Sequence, residues 1–145
     1  MSTSASVREV PIAHTRELRQ LILRPHETLE QLAADEPDDG FALGAFDGDQ
    51  LLAVGFIAAD GPPGSWRVRA MATTEPARGR GTGRAILEGL LLHAREHDAV
   101  RAWCNARSPA RPFYERAGFH VVSEEFEIPL IGPHFVMERT LVPGR

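Results

Sequence analysis

Three consecutive apolar runs, separated by two short turn sequences, constrain the fold of this chain more than any other feature. Phe41–Phe46 and Leu51–Ala59 flank Asp47-Gly48-Asp49, a sequence typical of β-hairpin turns. A second turn, Gly61-Pro62-Pro63-Gly64, leads into Trp66–Thr73, where large and small residues alternate. The pattern predicts three hairpin-connected strands in the middle of the chain.

Segments on both sides of these strands predict an α/β domain. A first strand is expected at Val7–Ile12, followed by two short helices, the first with Leu18, Leu21 and Ile22 on its apolar face. The second half of the chain predicts a helix at Gly83–His97, a buried strand at Val100–Asn105, a helix capped by Ser108 and ended by Gly118, and strands at Phe119–Val122 and Phe135–Leu141. The order β-α-α-β-β-β-α-β-α-β-β implies one sheet of mixed direction.

Composition indicates one globular domain and excludes several function classes. Of the 145 residues, 43% are hydrophobic and 25% charged, which predicts a single domain over residues 1–145. The net charge is −4, and all 16 basic residues are arginines. The absence of lysine excludes Schiff-base chemistry and a P-loop lysine. The acidic balance disfavours non-specific nucleic-acid binding.

Neither an intrachain disulfide nor a membrane segment is expected. Cys104 is the single cysteine, and residues 1–6 lack the apolar region of a signal peptide. The longest apolar run, Leu51–Ala59, is far shorter than the roughly 20 residues of a bilayer span. These features predict a soluble, cytoplasmic protein.

A loop rich in glycine and arginine, Arg78-Gly79-Arg80-Gly81-Thr82-Gly83-Arg84, joins the third hairpin strand to a helix. Its glycines let backbone amides approach a ligand closely, and the helix adds its unpaired N-terminal amides. Together with the three arginines, these groups suit a pyrophosphate. The loop matches neither the Walker pattern nor G-x-G-x-x-G.

Two motifs carry a family resemblance. The loop reads R-x-x-G-x-G from Arg78 to Gly83, and Phe113-Tyr114-Glu115-Arg116-Ala117-Gly118-Phe119 reads F-Y-x-x-x-G-F. Both resemble signatures of the GNAT superfamily of N-acetyltransferases. Ile131-Gly132-Pro133-His134 with Met137 resembles the subgroup similar to ElaA.

The resemblance implies a GNAT fold: a mixed, mostly antiparallel sheet of six to seven strands, splayed between strands 4 and 5 and flanked by about four helices. It also implies acetyl-CoA as acyl donor, an amine as the second substrate and no metal. Family members are often dimers, so a homodimer is one open oligomeric state. By resemblance, acetyl-CoA contacts Met71, Ala72, Thr73, Arg78, Gly79, Arg80, Gly81, Thr82, Gly83, Arg84, Asn105, Ala110, Arg111 and Phe113.

The resemblance also assigns the catalytic chemistry. Tyr114 is the expected general acid, because the leaving thiolate needs a proton. The amine would attack directly, with charge on the acetyl oxygen stabilised by a backbone amide of the fourth strand, and Cys104 would form no covalent intermediate. The fourth strand lacks the glutamate that many family members use as base. His134 is therefore the first candidate base, Glu127 the second and His120 the third; a base is dispensable for an amine that is already partly neutral.

Other interpretations stay open at this point. A non-catalytic acyl-CoA-binding module on the same fold is the main alternative, and an RNA-binding loop is disfavoured by the net charge. His93-Ala94-Arg95-Glu96-His97 matches the zinc motif H-x-x-E-H, but a polar helix end is the expected interpretation. The acidic run Asp35–Asp39 is expected to be a solvated loop.

Overall fold

The computed structural model describes residues 6–143, so residues 1–5, part of the segment from which we expect no signal peptide, lie outside it. The strands are β1 (Ser6–Val10), β2 (Phe41–Asp47), β3 (Gln50–Ala59), β4 (Ser65–Thr73), β5 (Arg101–Arg107), β6 (His120–Val121), β7 (Phe126–Ile128) and β8 (Gly132–Thr140). The helices are α1 (Arg16–Ile22), α2 (Leu29–Ala34), α3 (Thr82–Glu96) and α4 (Arg111–Arg116). Within residues 6–143, no helix is long and apolar enough to cross a bilayer.

One mixed sheet forms the centre of the fold, with strand order β1-β2-β3-β4-β5-β8-β6 and with β7 paired to β8. The neighbouring strands pair antiparallel except for β4 and β5, which run parallel. The mixed, mostly antiparallel sheet and the three hairpin strands are therefore confirmed. The short strand β7 was not predicted, and it gives the sheet an eighth strand.

Strands β4 and β5 separate soon after they begin to pair. Their parallel register covers three positions, from Ser65 opposite Arg101 to Arg67 opposite Trp103. Beyond that point β4 stays paired with β3 as far as Thr73, and β5 stays paired with β8 as far as Arg107. The sheet is thus open between its fourth and fifth strands, as the resemblance implies.

A β-bulge distorts β4 inside this opening. Val54 pairs with Ala72 and Phe56 pairs with Arg69, so β4 holds one more residue than β3 over that interval. Ala70 has a φ of +60°, which is unusual for a residue with a side chain. A bulge leaves its extra residue outside the hydrogen-bond ladder, so β4 offers backbone groups to the opening.

The two faces of the sheet bury different sets of side chains. Helix α3 covers one face with Ile86, Leu87, Leu90 and Leu91, all fully buried in the main core. The other face carries Phe56 in a smaller cluster beneath α1. Because side chains alternate across a strand, Arg67 and Arg69 lie on this second face with Phe56.

An ion-pair network anchors α1 and the loop after α2 to that second face. Glu36 accepts hydrogen bonds from Arg16 at 2.7 and 2.8 Å and from Arg19 at 2.6 Å. The Arg19 guanidinium also lies 5.0 Å from the ring centre of Phe56. The acidic run after α2 is therefore not simply a solvated loop, because the Glu36 side chain is only 5% exposed.

Two local expectations were wrong. Leu21 is 72% exposed, although we expected it on the apolar face of the first helix. Arg19 is the buried residue of α1, and a residue two positions away on a helix lies about 200° around the axis. Ser108 caps no α-helix, because Ser108–Ala110 form a 3-10 turn and the Ser108 hydroxyl donates to Glu125. Gly118, with a φ of +88°, ends the α4 segment as predicted.

Candidate active site

The glycine- and arginine-rich loop forms an anion site at the start of α3. Gly79 and Gly81 both have φ near +77°, a conformation that favours glycine. Gly81 immediately precedes Thr82, the first residue of α3, so the amides of the first helical turn face the loop unpaired. The positive end of the helix dipole adds to this anion preference.

A cavity of about 370 Å³, which we call the loop pocket, lies between Thr73, the loop, Phe113 and Arg116. Arg78 donates to the carbonyl of Thr73 at 3.0 Å, and Arg84 pairs with Glu88 at 3.1 Å. Of the predicted acetyl-CoA residues, the loop pocket brings together Thr73, Arg78, Gly79, Gly81, Thr82, Gly83, Arg84 and Phe113. Arg116 also lines it and was missed by the sequence motifs.

The remaining predicted acetyl-CoA residues are placed elsewhere. Met71, Asn105 and Ala110 line a second cavity, described next. Ala72 is buried within β4, and the exposed Arg80 lines neither cavity. Arg111 also lines neither, since its guanidinium pairs with Glu115 at 3.2 Å and lies over Phe135.

The second cavity, of about 300 Å³, occupies the opening between β4 and β5 and is called the splay pocket. Its lining includes Met71 at the bulge, Asn105 on β5, Tyr114 on α4 and His134 on β8. The splay and loop pockets lie close together, because Tyr114 lines the splay pocket and the preceding residue, Phe113, lines the loop pocket.

Tyr114 packs with its ring in the core. It is 7% exposed, and its ring packs edge-on against Phe113 and Phe119 at centroid distances of 5.1 and 5.4 Å. Burial, with a smaller contribution from the neighbouring Cys104, raises the pKa of the Tyr114 phenol well above 10. The phenol is therefore protonated at neutral pH, as a proton donor must be.

His134 is the candidate base that the structure places inside the splay pocket. Its ring is buried and its Nδ1 lies 2.8 Å from the carbonyl of Gly132, which makes Nδ1 the donor and leaves Nε2 as an acceptor. Burial lowers the pKa of His134 below 6.5, and the bond to Gly132 offsets this only in part. The imidazole is therefore neutral at pH 7.

The other two candidate bases lie outside this pocket. Glu127 is exposed, because it alternates with Phe126 and Ile128 on β7, and Phe126 is the residue that stacks on His134. His120 is exposed and lies 3.7 Å from Glu138. Glu27, which the sequence did not single out, does line the pocket, at 3.5 Å from Arg24.

Two histidines, the buried His134 and the partly buried His93, predict a pH-dependent stability. Burial lowers the pKa of His134 and of His93 below 6.5, so the unfolded chain binds more protons below that pH. The free energy of unfolding should therefore fall as pH drops below 6.5, by up to about 1.4 kcal/mol per pH unit for each histidine. Urea unfolding between pH 7.5 and 5.5 measures the slope, and His134→Gln should reduce it. An unchanged slope in that variant would contradict the burial effect.

Cys104 behaves as a core residue. It is fully buried, and burial raises the pKa of its thiol to about 12. Because the thiolate is the reactive form of cysteine, this environment disfavours a nucleophilic role.

The H-x-x-E-H motif lies in an aromatic cluster. The His93 ring stacks on Phe41 at 3.7 Å, and the His97 ring follows at 4.3 Å. His97 also bonds through Nδ1 to the carbonyl of His93 at 2.8 Å. Within residues 6–143, no three metal-binding side chains are grouped. The contacts of both rings give the motif a packing role at the end of α3.

The pocket residues that the sequence motifs missed are mostly arginines. Five of them line the splay pocket: Arg19, Arg24, Arg67, Arg69 and Arg107. The alternation Arg67-Val68-Arg69 on a predicted strand indicated that two of them share a face, but nothing in the sequence placed the other three beside them.

Comparison with known proteins identifies the family. The family described as "Acetyltransferase (GNAT) domain" matches residues 14–140. The chain is also similar to the uncharacterized N-acetyltransferase YitI of Bacillus subtilis (strain 168), with 32% identity over 146 residues that cover 96% of this chain and 98% of YitI.

Solved structures show the same fold. Escherichia coli ElaA superposes with a TM-score of 0.73 at 19% identity, covering 93% of this chain and 99% of that chain. An aminoglycoside 6′-N-acetyltransferase complexed with coenzyme A superposes with a TM-score of 0.79 at 13% identity, covering 97% of this chain and 99% of that chain. From its sequence match and its fold, the chain belongs to the GNAT superfamily, and it is an acetyltransferase.

Proposed function

We propose that the protein transfers an acetyl group from acetyl-CoA to the amine of an acceptor by direct attack. The observation that carries this proposal is the closeness of two cavities, which the consecutive residues Phe113 and Tyr114 line on either side. One cavity has the charge and exposed amides to hold a pyrophosphate. The other, at the opening of the sheet, gathers a proton donor and a proton acceptor.

The loop pocket fits the phosphates of acetyl-CoA. Helix amides, the positive end of α3, and the guanidinium groups of Arg78, Arg84 and Arg116 converge on it. The extended arm of acetyl-CoA, if it passes through the β4–β5 opening, would contact the unpaired edge of β4 at Met71–Thr73 and the side chain of Asn105. An aminoglycoside 6′-N-acetyltransferase that shares this fold was solved complexed with coenzyme A, which supports a coenzyme A thioester as the ligand.

Three groups of the chain then have distinct tasks. Tyr114 donates its phenolic proton to the thiolate that leaves. His134 accepts, at Nε2, a proton from the attacking amine. A backbone amide at the β4 bulge, outside the strand ladder, donates to the acetyl oxygen as negative charge develops there. Acetyl-CoA supplies the activated thioester on which these groups act.

Acetyl-CoA should stabilise the protein measurably. At 100 times its Kd, a ligand that binds only the folded state adds about 2.7 kcal/mol to the free energy of unfolding. Thermal unfolding with and without acetyl-CoA tests this directly. No shift at millimolar acetyl-CoA would overturn the proposed function.

The loop pocket should depend on Arg78. Its side chain is exposed and donates to the carbonyl of Thr73, so Arg78→Ala removes one cation without opening the core. Loss of one charge-assisted bond to a phosphate costs about 1.5 kcal/mol or more, which is about a tenfold weaker Kd for acetyl-CoA. Calorimetric titration measures the change. Arg8→Ala, an exposed arginine on β1, is the matched control; an equal loss in both variants would argue for non-specific charge attraction.

A further inference from the structure

The splay pocket concentrates positive charge in an acidic protein. Its lining contains five arginines but only two carboxylates, Glu27 and Asp35, whereas the whole chain has a net charge of −4. His134, the remaining basic residue of the lining, is neutral at pH 7 because burial lowers its pKa. The pocket that holds the candidate acid and base therefore carries a net positive charge.

Three of the five arginines have close carboxylate partners. Arg19 binds Glu36 at 2.6 Å, Arg24 lies 3.5 Å from Glu27, and Arg69 lies 2.9 Å from Asp35. Both carboxylates of the lining are engaged in these pairs, and neither lies within ion-pair distance of the remaining two arginines, Arg67 and Arg107.

Arg67 is desolvated but poorly paired. Its Nε is buried and has no hydrogen-bond partner among the described residues, and its nearest carboxylate, Asp60, lies at 3.7 Å. The guanidinium lies 5.0 Å from the ring centre of Trp103, at the last paired position of β4 and β5. Burial, and then the charge of Arg69, lower the pKa of Arg67.

Arg107 is in a similar position at the other end of the opening. It donates to the carbonyl of Leu23, and no carboxylate of residues 6–143 lies within ion-pair distance of it. Burial, and then the charge of Arg24, lower the pKa of Arg107. In the strand register it stands opposite His134, so its guanidinium borders the candidate base.

Arginine forks that have no close carboxylate partner and line a cavity, as Arg107 and, with Asp60 only at 3.7 Å, Arg67 do, are suited to bind a planar carboxylate or a phosphate. We propose that the amine acceptor of this enzyme carries an anionic group, a carboxylate or a phosphate, which binds to Arg67 and Arg107. This inference rests on the proposed acetyl transfer. Polyamines and cationic peptides would meet like charge in the same pocket and be rejected.

Matched pairs of amines test the proposal. With acetyl-CoA as donor, the release of free CoA is measured for each amine. Amino acids are compared with their C-terminal amides, and phosphoethanolamine is compared with ethanolamine. Spermidine serves as the cationic amine. The expected result is that the acid member of a pair has a kcat/KM at least tenfold above its neutral partner. The carboxylate and phosphate arms distinguish the two anions. Equal or faster turnover of neutral amines or spermidine would overturn the proposal.

Arginine variants test whether Arg67 and Arg107 bind the anionic group of the acceptor. Arg67→Gln and Arg107→Gln should raise KM for the best acid-bearing amine at least tenfold and leave the Kd of acetyl-CoA unchanged. Arg67→Lys keeps the charge but loses the fork, so KM should rise less. Arg8→Gln makes the same charge change outside both pockets and should leave KM unchanged. An unchanged KM in both pocket variants would contradict the proposal.

A binding measurement keeps the inference testable if the panel contains no good acceptor. The chain saturated with CoA is titrated with N-acetyl amino acids and with their amides, and the Nε–H resonances of Arg67 and Arg107 are followed by NMR. Acid-specific shifts of these resonances are expected, and shifts that do not distinguish acids from amides would count against it. Failure of acetyl-CoA itself to bind would instead refute the proposed function.

Discussion

Replacing Tyr114 with phenylalanine should lower kcat by about 100-fold or more while the Kd of acetyl-CoA stays the same. General acids contribute roughly 10²- to 10⁴-fold to a rate, and this substitution removes only the hydroxyl. The ring is held between Phe113 and Phe119, so phenylalanine should keep the same packing. Steady-state kinetics and calorimetric titration of acetyl-CoA measure the two quantities separately.

The loss also distinguishes an enzyme from a binding module on the same fold. A protein that only binds acyl-CoA would show the same ligand affinity for both forms and no transfer to lose. Cys104→Ala is the matched control, because Cys104 is the buried neighbour whose thiol raises the pKa of Tyr114 further. It should keep kcat within a few-fold. Full activity of Tyr114→Phe would remove the phenol from the mechanism, and inactivity of Cys104→Ala at normal stability would reopen a covalent route.

The parts of the fold that follow from local pattern could be predicted from sequence. The hairpin strands are confirmed because alternation and turn residues report strand pairing directly. The opening between β4 and β5 was expected only from the family resemblance. No local property of Val68–Thr73 shows that these residues lack a neighbouring strand on one side. The bulge could not be predicted from the sequence either, because Ala70 has a positive φ although it is not a glycine.

Buried charge explains why other features could not be predicted. The pattern of apolar residues predicted that Leu21 is buried. In the structure α1 buries Arg19 instead, because Glu36, from the loop after α2, forms an ion pair with it. The same limit applies to the splay pocket. Its arginines come from α1, the loop after α1, β4 and β5, and a sequence does not show that such separate segments converge. The glycine- and arginine-rich part of the loop pocket could be predicted because its residues are consecutive in the sequence, whereas Arg116, from α4, was missed.

Glu36→Gln should destabilise the fold strongly. The Glu36 and Arg19 side chains are each 5% exposed, and the carboxylate also binds Arg16 through two bonds. Removing one partner of a buried ion pair leaves an uncompensated charge and costs about 3–5 kcal/mol. With total stabilities of about 5–15 kcal/mol, that is a large fraction of the whole. Urea unfolding measures it, and the exposed Asp38→Asn in the same loop, expected within about 0.5 kcal/mol of the parent, is the control.

The pH dependence and a second substitution separate this charge effect from a simple loss of packing. Burial alone would raise the pKa of Glu36, but hydrogen bonds from Arg16 and Arg19 outweigh it and hold the pKa below 4.5. The carboxylate therefore stabilises the fold above pH 4.5, and this stabilisation is lost as pH falls through its lower folded-state pKa. Glu36→Gln should show a smaller loss of stability in that acidic range. Adding Arg19→Met to Glu36→Gln should recover part of the stability, because the uncompensated guanidinium is gone. If the two substitutions were simply additive, the destabilisation would not arise from their ion pair.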